Sequence, residues 1–70
     1  MLVTSFAVRS LQDRTGGTLS DALCASILER AALRGVEVAE GRDGEARVLW
    51  SADLPGLGLL VKQDAILCVC

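Results

Sequence analysis

Between Leu57 and Cys70, apolar residues hardly alternate with polar ones. A strand with one wet face alternates strictly, whereas this stretch reads as two short strands that are apolar on both faces. A turn at Gln63-Asp64 predicts a hairpin pairing Val61 with Ile66, Leu59 with Cys68 and Leu57 with Cys70 on one face. On the other face it pairs Leu60 with Leu67 and Gly58 with Val69. Such a hairpin needs cover on both sides. The expectation is a helix of the same chain on one face and another chain on the other. The interface candidates are then Leu57, Leu59, Leu60, Val61, Ile66, Leu67 and Val69, with the choice of face left open.

Upstream, the pattern changes period. Leu23, Cys24, Ile27, Leu28 and Ala31 fall on one helical face, and Ala22, Ala25, Ser26, Glu29 and Ala32 on the opposite one. The back face is small and weakly polar, suited to water or to close approach by a second helix. Thr18 is the expected N-cap, with Asp21 three residues on in the manner of a capping box. Arg30 and Arg34 suit the negative end of the helix dipole, and Gly35 is expected to stop the helix in a left-handed conformation.

Two further segments read as strands. From Met1 to Arg9, Leu2, Thr4, Phe6 and Val8 alternate with Val3, Ser5, Ala7 and Arg9, although Val3, Phe6, Ala7 and Leu11 also fit a helical stripe. The Val and Thr content and Phe6 favour a strand followed by a loop over Ser10 to Gly17. From Val36 to Trp50 the pattern is a hairpin around Gly41 to Gly44. A three-residue loop with a left-handed Gly44 pairs Val38 with Val48 and Val36 with Trp50. A two-residue loop would instead pair Glu40 with Arg47 and scatter the apolar residues over both faces, so the first register is preferred.

These elements predict an α+β fold forming a single small domain over residues 1–70. One helix, Thr18 to Arg34, packs on a mostly antiparallel sheet of four to five short strands, in the order β-α-β-β-β-β. The expected core is Phe6, Val8, Leu23, Ile27, Leu28, Val36, Val38, Val48, Trp50 and one face of the last hairpin.

Composition strengthens the case for assembly. Hydrophobic residues make up 51% of a 70-residue chain, and mean hydropathy is +0.45. A domain of this size buries only roughly 60% of the surface its unfolded chain exposes, so such an excess points to an interface. Seven Lys plus Arg against nine Asp plus Glu give a net charge of -2 without a basic stripe, which argues against nucleic-acid binding. The longest fully apolar run, Ala65 to Cys70, falls far short of the ~20 residues of a bilayer helix. Met1 to Arg9 lacks the basic start and apolar core of a secretory signal. An odd number of cysteines, three, fits reduced thiols and a cytoplasmic location.

Catalytic chemistry finds little support. Without His, a Ser triad in its usual form is absent, and the nine carboxylates show no spacing that singles out a pair. Cys24, Cys68 and Cys70 would bring three thiols together if the helix covers their face of the sheet, which makes a thiol- or metal-binding protein one alternative. A structural zinc site wants four ligands, and free cysteines are commonly buried as small hydrophobes. The loop from Thr15 to Asp21 leads into a helix N-terminus without the lysine of a phosphate-binding motif, so no cofactor is expected.

Two family resemblances are visible. Cys68-Val69-Cys70 resembles the doubly prenylated tails of Rab-type GTPases, which would imply a membrane anchor. Here, however, Ala65 to Leu67 reads as a strand and not as a polar tail. The helix, Gly35 and charged hairpin between Leu19 and Trp50 resemble the recognition helix and wing of winged-helix regulators, which implies DNA binding as a second alternative. Too few residues precede this stretch for the two helices that normally come first, and the helix is neutral and Ala-rich. The expectation is therefore a non-catalytic structural or interaction subunit that forms homo-oligomers or docks into a larger protein complex, without nucleic-acid or membrane partners. A virion or phage-particle component and an enzyme accessory subunit both fit.

Overall fold

Thr4 decides how the chain begins. Its hydroxyl accepts a hydrogen bond from the Ala7 N–H at 3.2 Å, the geometry of a helix N-cap. It also donates to the Ile66 carbonyl at 2.7 Å. The computed structural model, which describes residues 1–40 and 46–70, accordingly has only a two-residue strand β1 (Leu2–Val3) before helix α1 (Ser5–Arg14). The expected strand from Met1 to Arg9 is thus cut to Leu2–Val3, and the rest of it, with most of the expected loop from Ser10, is a helix. The helical stripe prevails because Ala7 and Leu11 can be fully buried by it. Gly16, at φ +77°, ends α1, and the Gly17 N–H reaches back to the Gln12 carbonyl at 2.7 Å in a Schellman motif.

Helix α2 (Asp21–Arg34) begins later than expected. Its N-cap is Ser20, not Thr18: the Ser20 hydroxyl accepts from the Leu23 N–H at 3.2 Å, which places Asp21 in the first turn. Asp21 accepts a hydrogen bond from the Gln12 side chain at 2.6 Å, tying the two helices together at this end. Gly35 does follow the helix, but in extended backbone at φ -79° and not left-handed. The reason for glycine is proximity: a Cβ there would meet the Ala31 carbonyl oxygen at 2.9 Å and Leu49 Cβ at 3.2 Å. Beyond it, Arg34 pairs with Asp53 at 3.6 Å, and the buried Ser51 hydroxyl accepts from the Asp53 N–H at 3.2 Å.

The remaining strands are β2 (Val36–Glu40), β3 (Ala46–Trp50), β4 (Gly58–Lys62) and β5 (Ala65–Val69). The sheet has five strands in the order β1-β5-β4-β3-β2, antiparallel except for β1, which runs parallel to β5. The fold is α+β, with both helices on one face of the sheet and a second helix following a first strand shorter than expected.

Bulges set the register of both hairpins. In β2–β3, Val36 pairs with Trp50 as expected, but a bulge between Glu37 and Ala39 then puts Ala39 opposite Val48 and Glu40 opposite Arg47. Both registers weighed from sequence therefore occur, one on each side of Val38. The left-handed Gly44 lies outside the described residues. In β4–β5, Val61 pairs with Ile66 across a turn whose residues Gln63 and Asp64 have φ of 51° and 62°, as in a two-residue type I′ hairpin. A second bulge then shifts Leu60 onto Cys68 and Leu59 onto Val69. One extra residue flips the rest of the strand to the other face.

The core lies between helices and sheet. Ala7 and Leu11 of α1, and Cys24, Leu28, Ala31 and Ala32 of α2, meet Leu49, Leu59, Val61, Ile66 and Val69 of the sheet. Small residues on the helices let them approach each other and the strands closely. Leu28 and Ile66 are each fully buried, contributing about 1.5–3 kcal/mol apiece relative to exposure. Phe6, Leu23, Val36, Val38 and Trp50, expected in the core, are exposed instead. α2 turns Cys24 and Leu28 inward in preference to Leu23, and among its described residues the first hairpin buries only Leu49 in the core.

Candidate docking surface

The sheet has a second face, and no element among the described residues covers it. Its composition is set by register and pleat. Since Leu49, Leu59, Val61, Ile66 and Val69 point at the helices, their alternating neighbours point away. One outward row runs Val36, Trp50, Gly58 and Cys70 across β2, β3, β4 and the end of β5. The next holds Val38 and Ala39 at the bulge, then Val48, Leu60 and Cys68. A third holds Ala46, Lys62, Ala65 and Leu2. Among the described residues of this face, Lys62 is the only charged side chain. Val36 is 58%, Val38 60%, Trp50 43% and Leu2 67% exposed.

Within this surface Gly58 is roofed by its neighbours: a Cβ there would meet Val48 Cγ1 at 2.8 Å and Cys70 Sγ at 3.5 Å, while Trp50 stands beside it in the same row. The Gly58 and Cys70 backbones exchange hydrogen bonds of 3.0 and 2.8 Å, which carries the ladder to the end of β5.

The interface candidates named from sequence divide between the two faces. Leu59, Val61, Ile66 and Val69 are buried beneath the helices and offer no surface. Their burial comes from the chain's own α1 and α2. Leu57 is half-buried against the core. Leu60 and Leu67 are half-buried, with Leu60 on the outer face. Val36, Val38 and Trp50, which sequence reasoning placed in the core with Trp50 as an interface residue the second choice, are exposed on this outer face. The signal that could have found them was in β3, where Leu49 sits between Val48 and Trp50. That strand is as two-faced as the terminal hairpin.

The thiols do not converge. Cys24 is fully buried on α2, on the inner side of the sheet, whereas Cys68 and Cys70 belong to the outer rows. All three are free. Among the described residues no group of three Cys, Asp or Glu is placed to hold a metal ion. The N-terminus of α2 is capped by Ser20 and faced by Asp21, which repels an anion. A surface groove of about 430 Å³ runs along α2 past Ser26, Glu29, Arg30, Leu33 and Arg34. Strands β2 and β3 form the margin of the five-stranded sheet, with β3 paired along β4. No described helix is long and apolar enough to cross a membrane.

Comparison with known proteins returns nothing: no family model, no curated protein and no solved structure matches the chain.

Proposed function

We propose that this chain is a non-catalytic interaction subunit that docks through the outer face of its sheet, as part of a protein assembly in the cytoplasm. The observation that carries the reading is the open apolar face around Trp50. A monomer that works alone in water keeps such a surface small or breaks it with charge. Here, among the described residues, the two outer rows through Trp50 and Val48 carry no charged side chain, and Lys62 stands in the third. Trp is among the residues that contribute most where proteins meet.

Acrylamide quenching of Trp50, the only tryptophan, tests the reading in the native complex as isolated. Trp50 is expected to be protected in the unaltered complex and accessible in the Leu60→Asp variant. Equal and high accessibility in both, with unchanged circular dichroism, would refute docking on this face.

A further inference from the structure

We draw no further inference here: the strongest candidate, the apolar surface patch that Val36, Val38 and Trp50 leave open on the outer face of the sheet, carries nothing beyond the docking reading, because nothing in the structure shows what covers it.

Discussion

The two faces of the sheet are built from the same kinds of residue but meet different surroundings. On the inner face Leu59, Val61, Ile66 and Val69 are at most 3% exposed, packed under Leu11, Leu28 and the alanines of the helices. On the outer face Val36, Val38 and Trp50 are 43–60% exposed. Hydropathy therefore does not separate core from surface here. The separation comes from which side the helices occupy, and that is fixed by where each strand sits in register. A substitution should consequently act on folding on one face and on association on the other.

The widest expected gap is between adjacent residues of β4. Val61→Asp places an unpaired carboxylate in the core, a penalty of more than about 4 kcal/mol. That is comparable to the whole stability of a small domain. The variant should be unfolded by circular dichroism and by loss of amide dispersion in NMR spectra. Leu60→Asp points the same charge at solvent and should remain folded, losing about 1 kcal/mol in urea unfolding. If Leu60→Asp unfolds as readily as Val61→Asp, the outer face is not open and the contrast collapses. Next in size is Ile66→Ala, which leaves a cavity beneath α1 and should lower stability by about 2–5 kcal/mol in urea unfolding at constant m-value.

Much of this contrast was legible in the chain. The two-faced terminal hairpin is evident from Leu57 to Cys70 in any turn geometry, and Val61–Ile66 and Val36–Trp50 pair as read. The α+β class emerges from the same periodicities. The rest was decided by single residues whose signals had two readings. Thr4 fits an alternating strand as well as an N-cap, and only its hydrogen bonds to Ala7 and Ile66 choose between them. Gly16 reads as loop until it is seen to close a helix that starts at Thr4. The bulge near Leu67 moves Val69 inside and Cys68 outside, although alternation by two predicts the reverse. The bulge at Val38 belongs to the hairpin whose apolar rows sequence reasoning placed in the core. A bulge is one extra residue in a ladder, and an apolar residue on either side of it leaves no mark in the hydropathy pattern. The open outer face was therefore half-legible: a second apolar face can be read from the terminal hairpin, but the exposure of Val36 and Val38 beside it cannot.

Gly35→Ala tests the helix–sheet seam itself. The new methyl would press on the Ala31 carbonyl and Leu49 Cβ, both held by the core, and should lower stability by about 1–3 kcal/mol in thermal or urea unfolding. Thr4→Ala removes the α1 cap and the hydroxyl bond to Ile66 that ties the helix start to β5. A loss of about 1 kcal/mol is expected, together with faster amide exchange in the first turn of α1. Unchanged exchange there would mean that β1 and β5 hold the helix without the cap.

Gly58→Ala is the smallest expected effect and the finest probe of the difference between the faces. By distance alone the two glycines look alike, since a methyl at Gly58 would meet Val48 Cγ1 at 2.8 Å and one at Gly35 would meet Ala31 oxygen at 2.9 Å. The neighbours differ in freedom. The Ala31 carbonyl is helix backbone and cannot yield, whereas the Val48 methyl lies on the outer face and can rotate toward solvent. Alanine also narrows the unfolded ensemble, which favours folding by about 0.4–1 kcal/mol. These terms offset one another, so Gly58→Ala should fall within about 0.5 kcal/mol of the parent in urea unfolding of the dilute protein. A loss matching that of Gly35→Ala would show that Val48 is held as rigidly as the core and that the outer face is packed by something at that concentration.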